Sequence, residues 1–429
     1  MFVTKEIGEE FLGKEIQLGG WINHIRSSGK IAFVELRYGM GFIQLIIEKN
    51  NIGDNKFDEL TACGIETSLI IKGSVCKHPK KEEYEIQVKE LNIITKTNDY
   101  PIGQKEHGPE FLLDNRHLRL RSDKQRAIQR IRNTIIYANY DWLRNNNFIK
   151  IDAPIFTPTA CEGTSNLYEV KHVNGESMYL SQSGQLYIEA AMMAHGRVFD
   201  FGPTFRAEKS KTRRHLNEFW MMDAEMAFVG HEGNLEIQEN LIYYIIQEVL
   251  KLNQNELKIL ERDIVPLQKI KVPFIRKDYE DVIKELNKLG SDIKSGDDLG
   301  ADDETILMNK YENCLFVEKY PKHVKAFYMK EDPKDKNYVL NADLLAPEGC
   351  GEIIGGSERE SDYQKLLDRI KEEKLPVEYF NRYLDLRKYG GVPHSGFGFG
   401  LERLVRWICN LHHIRESIPF PRYANRITP

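Results

Sequence analysis

The sequence predicts an α+β protein with several domains, the first of them a small β-barrel. Its 429 residues exceed the size of one typical domain. The first hundred residues contain short β-rich runs separated by glycine-containing and charged turns, which is typical of an OB-fold barrel. The remainder alternates amphipathic helices with strand-like segments. The predicted barrel strands span residues 16–23, 31–37, 42–47, 68–75 and 84–89.

The composition is that of an ordinary globular protein, with 41% hydrophobic and 29% charged residues. At a net charge of −5, a nucleic-acid partner would have to bind a locally basic surface. The six cysteines form no C-x-x-C pair, which argues against a zinc site or a disulfide framework and favours a reducing compartment. Neither a signal-peptide pattern nor a bilayer-length apolar run occurs, so we expect a cytoplasmic protein with no membrane partner.

One face of the predicted barrel suits single-stranded nucleic acid. Strand alternation directs Val34 and Leu36 to one side and Phe33 and Arg37 to the other, with Gln44 on the next strand. An aromatic ring can stack on a base while polar groups read its edge. The alternative, that Phe33 is buried in the barrel, stays open at this point.

A connector and a strong helix follow the barrel. Residues 92–119 contain several glycines and prolines and little periodicity. Ser122 is a plausible N-cap for a helix with an apolar face, and the helix leads into an extended segment, 148–156, that contains Pro154. Proline in a strand is tolerated at an edge or at a symmetry axis. The helix and the proline-containing segment are therefore either part of a dimer interface or an ordinary part of the core.

Residues 205–228 predict a β-hairpin with a basic loop. The loop carries Lys209, Lys211, Arg213, Arg214 and His215. Because these cationic or titratable groups repel one another, the loop is either solvated surface or the binding site of an anionic partner. After the hairpin we expect a helix-rich region and then a polar surface stretch, 291–303. Residues 314–330 predict a strand, a turn at Pro321 and a second strand.

Three further segments carry candidate binding groups. Residues 181–185 supply small hydrogen-bonding side chains that suit a polar ligand, and a helix follows them. Asp343 and Glu352 lie near Gly355 and Gly356, an arrangement that suits Mg²⁺ held together with phosphates. Residues 396–406 are glycine-rich and lead into a helix with Arg403 near its start, where an arginine can bind a phosphate.

Together these segments resemble one family, the class II aminoacyl-tRNA synthetases. Residues 148–158 resemble motif 1, residues 205–228 resemble motif 2, and 398–403 resemble motif 3, in the family's order. The barrel is similar to the anticodon-binding domain of subclass IIb. The resemblance implies an OB-fold anticodon-binding domain over 1–97, a hinge over 98–118, and a catalytic domain over 119–429. That domain is built on a mainly antiparallel sheet flanked by helices, with a helical insertion at about 232–303. A homodimer through motif 1 is also implied.

Within subclass IIb the chain resembles the asparaginyl branch. Aspartyl enzymes typically have Q-S-P-Q followed three residues later by a lysine, whereas this chain has Gly184 and Ile188 at those places. Without the lysine, a buried substrate carboxylate would lack its partner. An aspartyl enzyme, possibly non-discriminating, is the alternative. Two further alternatives fit less well. An ammonia-using asparagine synthetase shares the catalytic fold but lacks the barrel that this chain has. Non-catalytic paralogues tend to lose the phosphate ligands, which this chain retains.

The resemblance implies that asparagine and ATP form asparaginyl-adenylate, whose acyl group passes to the 3′-terminal adenosine of tRNA(Asn). It assigns catalysis to Arg206, Glu208 and Arg403, and Mg²⁺ to Asp343 and Glu352. The remaining ATP contacts are expected from Arg214, His215, Leu216, Phe219, Glu352, Gly400, Leu401 and Glu402. Amino-acid binding is expected from Glu162, Gln182, Ser183, Gln185, Asp223, Glu225 and Arg359, with Glu225 preferred over Asp223 as acceptor for the side-chain amide. Anticodon contacts are expected from Arg26, Phe33, Arg37 and Gln44.

Overall fold

The computed structural model describes residues 2–103, 105–158, 161, 167–209 and 212–429. The chain divides into two compact units, Met1–Gly108 and Pro109–Pro429. No helix in the described ranges is long and apolar enough to cross a membrane.

The first unit is a closed five-stranded barrel with strand order β1-β2-β3-β5-β4. Period-two alternation places Val34 and Leu36 in the core with 0% exposure and leaves Phe33 half-buried on the outer face. All five predicted strands are therefore confirmed, and the burial of Phe33 inside the barrel is excluded. The elements are β1 (Glu15–Ser28), β2 (Ile31–Tyr38), β3 (Gly41–Glu48), α1 (Lys49–Ile52), α2 (Asp54–Thr61), β4 (Ser68–Lys77) and β5 (Tyr84–Thr95).

The second unit begins with helices and a small three-stranded sheet, then continues into the large sheet. Its first half contains α3 (Pro109–Asp114), α4 (Arg116–Arg119), α5 (Asp123–Asn145), β6 (Ile149–Lys150), β7 (Phe156–Thr157), β8 (Glu169–Lys171), β9 (Ser177–Leu180), α6 (Gln185–His195), β10 (Arg197–Phe205), β11 (Glu218–Ala227) and α7 (His231–Leu252). Its second half contains α8 (Gln254–Ile259), α9 (Val265–Gln268), β12 (Ile275–Asp278), α10 (Tyr279–Lys288), α11 (Ala301–Met308), β13 (Leu315–Glu318), β14 (Asn341–Ala346), β15 (Gly351–Glu358), α12 (Tyr363–Glu372), α13 (Val377–Lys388), β16 (His394–Gly400) and α14 (Leu401–Ile408).

The large sheet has the order β12-β13-β14-β15-β16-β11-β10-β6. Its pairs are antiparallel except β12 with β13 and β10 with β6, which are parallel. The predicted fold class, a barrel followed by a mainly antiparallel sheet with flanking helices, is confirmed. The predicted hairpin is β10–β11, although its first strand ends at Phe205, so Arg206 and Glu208 lie in the loop.

Helix α5 packs its apolar stripe against the large sheet. The Ser122 hydroxyl caps the helix by accepting the Gln125 N–H at 3.4 Å, and Ile128, Ile131 and Ile135 are fully buried. These isoleucines belong to the same core cluster as β11 and β16, together with α7 and α14. One face of the sheet is thereby covered, and its opposite face is left to carry polar groups.

Two expectations for the later chain are corrected. The stretch 232–303 is not purely helical, because β12 within it joins the large sheet. The stretch 314–330 holds one strand, β13, where two were expected, and the 3₁₀ turn Lys322–Val324 replaces the second.

Candidate active site

The face of the sheet opposite α5 forms the floor of a cavity of about 310 Å³. Strands β11, β14 and β15 contribute side chains to its wall, β16 contributes glycines, and α6 and α11 contribute residues from its sides. Cationic side chains and carboxylates both line the wall, which suits a ligand that carries both charges.

The glycines of β16 face the polar side of the sheet and its phenylalanines face the core. Phe397 and Phe399 are 1% exposed in the main hydrophobic cluster, whereas Gly396 and Gly398 pair with Glu225 and Asp223 of β11. A Cβ on Gly398 would lie 2.5 Å from Asp223 Oδ1, and one on Gly396 would overlap the Glu225 carboxylate. These two glycines therefore make room for two buried carboxylates.

Glu225 and Arg359 form a buried ion pair at the end of the cavity. Arg359 donates from Nη2 to Glu225 at 2.5 Å and from Nε at 3.3 Å, and Ser357 accepts from Nη1 at 2.7 Å. Burial raises the pKa of Glu225, and Arg359 opposes that effect. Arg359 lines the cavity, and Glu225 lies behind it with 0% exposure.

Asp223 lines the cavity beside the start of α6. Its carboxylate accepts from the Ser183 hydroxyl and from the Gly184 N–H, both at 2.9 Å. Burial raises its pKa to about 7 in spite of these two hydrogen bonds. Ser183 and Gln185 lie in the same wall, so the predicted amino-acid-binding segment and the hairpin do meet.

The hairpin loop brings Arg206 and Phe219 together. The Arg206 guanidinium lies over the Phe219 ring, 5.6 Å from its centroid. The Asn217 side chain closes the base of the loop by donating to the Arg206 and Glu208 carbonyls at 2.7 and 2.9 Å. Phe219 also borders the open space above Gly400, where a Cβ would contact its ring at 3.8 Å. A flat ring could occupy this space.

Asp343 and Glu352 approach the same space above Gly355. A Cβ on Gly355 would lie 3.4 Å from Glu352 Oε1 and 3.7 Å from Asp343 Oδ1. Arg403 donates to Glu352 at 2.7 Å, and Lys325 donates to Asp343 at 2.7 Å. Burial raises the pKa of Asp343 to about 6, although Lys325 opposes the rise. Two carboxylates that converge over a glycine fit the oxygen ligands of Mg²⁺.

Arg214 and His215 of the basic loop reach the cavity wall, together with Leu216. Arg214 is held by Glu304 at 2.8 Å and by the Gly349 carbonyl at 2.7 Å. Burial, followed by the charge of Arg403, lowers the pKa of His215. Arg214 thus anchors the loop to the second unit, and the loop is not simply solvated surface.

Several predicted residues do not present their side chains to the cavity in the described part of the chain. Leu401 packs in the core. Glu402, by contrast, borders the cavity, but its carboxylate is paired with Arg132 at 2.7 Å and accepts the Trp220 N–H. Gln182 is buried and accepts the Cys161 N–H at 3.2 Å. Glu208 is half-buried in the loop, outside the described wall. Glu162 lies outside the described residues.

Ile188 also points away from the cavity. It is fully buried in a small apolar cluster with Met192 and Val198. The absence of a lysine there is a fact of the sequence, but Ile188 itself contributes no group to the described cavity wall.

Sequence reasoning missed three charged groups of the site. Lys325 lies between Asp343 and Asp298, 3.3 Å from the latter, with its ammonium 3.8 Å from the Tyr320 ring centroid. Glu304 accepts the Glu352 N–H at 3.0 Å, and burial and the charge of Glu352 raise its pKa to about 7. The stretch 291–303 is therefore not plain surface, because Asp298 and Leu299 line the cavity. No local pattern in the sequence marks these residues.

The barrel unit places the predicted anticodon-binding residues on one outer face. Arg26 pairs with Phe33 in register, and its guanidinium lies 5.0 Å from the ring centroid. Gln44 donates to Glu85 at 3.1 Å. Arg37 contradicts the expectation of an exposed reading group, because it is 6% exposed and donates to Glu66 at 2.7 Å.

Comparison with protein families agrees with this geometry. The family described as tRNA synthetases class II (D, K and N) matches residues 108–424, and an OB-fold nucleic acid binding domain matches residues 16–94. The chain belongs to the class II tRNA synthetases (D, K and N). As a member of that family it is an aminoacyl-tRNA ligase.

Solved structures of this family resemble the chain over its whole length. The asparaginyl-tRNA synthetase from Pyrococcus horikoshii, complexed with asparaginyl-adenylate, is 42% identical, with 98% of this chain and 97% of that chain covered and a TM-score of 0.95. The asparaginyl-tRNA synthetase from Entamoeba histolytica is 31% identical, with 100% and 99% covered and a TM-score of 0.92. The aspartyl-tRNA synthetase from Entamoeba histolytica is 26% identical, with 98% and 91% covered and a TM-score of 0.82.

Proposed function

We propose that this protein is an asparagine–tRNA ligase that activates L-asparagine with ATP and transfers it to the 3′-terminal adenosine of tRNA(Asn). The full-length likeness to two asparaginyl-tRNA synthetases, at higher identity than to the aspartyl enzyme, carries this proposal. No covalent enzyme intermediate is needed, because positioning and charge stabilisation suffice for both steps.

The side-chain amide of asparagine would bind at the Arg359–Glu225 pair. The primary amide of asparagine carries an acceptor oxygen beside a donor NH₂. Arg359 supplies a donor and Glu225 an acceptor, so the pair is complementary to the amide. Arg359 would donate to the amide oxygen, and Glu225 is preferred over Asp223 as acceptor for the amide NH₂. Ser183, Gln185 and Asp223 would then hold the α-amino and carboxylate groups.

ATP would lie along the hairpin. Phe219 would stack on adenine beside Gly400, Arg206 would bind the α-phosphate, and Arg403 would bind the γ-phosphate. Asp343 and Glu352 would hold Mg²⁺, which supplies charge neutralisation to the phosphates when bound. Arg403 and Lys325, which pair with these carboxylates here, would then be released to face phosphate oxygens.

The barrel would bind the anticodon through Phe33, Arg26 and Gln44, and a homodimer would form through residues 148–158. Ile155 and Phe156 in that segment are 42% and 53% exposed, which suits an interface. Sedimentation at micromolar concentration tests the dimer, and a monomer would contradict it.

The activity is tested by pyrophosphate exchange with asparagine, aspartate and lysine side by side. We expect exchange that depends on asparagine, with discrimination against aspartate of roughly 10⁴ or more, because aspartate lacks the amide donor and adds a charge. Comparable rates with asparagine and aspartate would instead support the non-discriminating aspartyl alternative.

A further inference from the structure

A buried polar network lies directly behind Gln185, one turn further along α6. Its centre is Glu189, which is 0% exposed. One carboxylate oxygen of Glu189 accepts from Gln185 Nε2 at 3.0 Å and from the Tyr383 hydroxyl at 2.8 Å. The other accepts from Arg387 Nη2 at 2.8 Å and lies 3.0 Å from His394 Nε2. Both oxygens are thus occupied.

The Glu189 carboxylate stays ionised at neutral pH. Burial alone would raise its pKa, but Arg387 and then the hydrogen bond from His394 lower the pKa well below its usual range. An ionised carboxylate only accepts hydrogen bonds. The group that Gln185 turns toward Glu189 must therefore be its NH₂.

The orientation of the Gln185 amide follows from this constraint. With its NH₂ directed at Glu189, the side chain presents its carbonyl oxygen on the opposite side, and Gln185 lines the cavity. Within the described residues, the only side-chain hydrogen bond of Gln185 is the one that its Nε2 donates to Glu189. A carbonyl oxygen aimed into the cavity accepts from an ammonium group, whereas a flipped amide would repel it.

We propose that Glu189 is a positioning residue for amino-acid binding, which fixes the Gln185 amide so that its oxygen faces the α-ammonium group of the substrate. The inference rests on the proposed function for the identity of the amino acid. It does not depend on which side chain is recognised, because every amino-acid substrate carries the ammonium group.

The decisive variant is Glu189→Gln, which keeps the shape and leaves a single acceptor oxygen. That oxygen cannot serve both Gln185 and Arg387, and the cation attracts it more strongly. The new NH₂ would then face Gln185 and turn the Gln185 amide around. We expect the KM for the amino acid to rise about tenfold or more, while the KM for ATP stays within about twofold.

The double variant Gln185→Glu with Glu189→Gln should restore binding. The carboxylate at 185 would accept from the new amide at 189 and still offer an oxygen to the ammonium, and the net charge would equal that of the natural protein. We expect its amino-acid KM to lie within about threefold of the natural value. The proposal would be overturned if the double variant had an amino-acid KM no lower than that of Glu189→Gln alone. It would also be overturned if Glu189→Gln raised the KM values for the amino acid and for ATP in parallel.

Glu348→Gln is the matched control for loss of a carboxylate opposite a buried arginine. Glu348 pairs with buried Arg262 at 2.6 Å outside the described wall of the cavity, so both KM values should stay unchanged. If Glu189→Gln does not fold, Glu189→Asp carries the test. The shorter aspartate side chain keeps its charge near Arg387 and withdraws from Gln185, so we again expect a selective rise in the KM for the amino acid. A KM for the amino acid that does not rise would overturn the proposal.

Every KM is measured by pyrophosphate exchange with the amino acid that the natural protein activates best. If that amino acid is aspartate, the proposed function fails while the role of Glu189 is still tested.

Discussion

Replacing Gly396 with alanine should disable amino-acid activation without changing any group that contacts the substrate. The new methyl carbon would fall closer than 3.0 Å to the carboxylate carbon and both oxygens of Glu225. Because Glu225 is fully buried, its carboxylate can escape only by leaving Arg359.

The magnitude follows from the ion pair that would be broken. Removing one partner from a buried pair typically costs about 3–5 kcal/mol, because the other charge stays buried without compensation. At about 1.4 kcal/mol per factor of ten, kcat/KM for asparagine should fall by about 10²- to 4 × 10³-fold. Part of the same free energy should also appear as a lower melting temperature.

The assay is pyrophosphate exchange with asparagine varied at saturating ATP, alongside a thermal melt. Gly202→Ala on β10 is the matched control, because its Cβ would meet Asp200 at an ordinary 3.8 Å. Folded Gly396→Ala with kcat/KM within about threefold of the natural protein would refute the assignment of the Glu225–Arg359 pair to the side-chain amide.

Three further outcomes are expected. Asp223→Asn should gain stability relative to the natural protein as the pH rises. The pKa of Asp223 is about 7 in the folded protein and about 4 in the unfolded chain, so the natural protein loses stability between these two pH values. The difference in unfolding free energy between the two proteins, measured by urea titration, should therefore grow by about 2.5 kcal/mol from pH 5 to pH 8, and a pH-independent difference would contradict the burial argument. Arg206→Ala should lower exchange by on the order of 10²-fold or more, whereas Arg144→Ala, an exposed arginine on α5, should leave it unchanged; equal rates in both variants would remove Arg206 from phosphate binding. Phe33→Ala should weaken charging of tRNA(Asn) and leave exchange intact, and a parallel loss of both would indicate damage to the fold instead.

The local patterns of the sequence were sufficient for most of the fold. Strand alternation in the barrel and the cap and stripe of α5 are local properties, and each was confirmed. The regions 232–303 and 314–330 were predicted less well, because short runs such as β12 become strands only when a neighbouring strand completes their hydrogen bonds.

The same distinction between local patterns and tertiary contacts applies to the residues of the site. The motifs predicted Arg206, Phe219, Asp223 and Arg403 as site residues, and the structure brings these four to one cavity. Leu401 and Arg37 were misplaced, because the sequence does not report how an element is rotated against its neighbours or which buried partner takes up a charge.

What the sequence determined by itself is the order of the motifs, the family, and the alternation of glycine and phenylalanine in β16 that gives the sheet one polar and one apolar face. Only the tertiary structure decided which charges meet. Lys325 contacts Asp343, 18 residues further along the chain, and Glu189 contacts Arg387, 198 residues further along. The physical reason is that periodicity is set by each residue's own backbone, whereas a charge pair depends on strand order and helix packing.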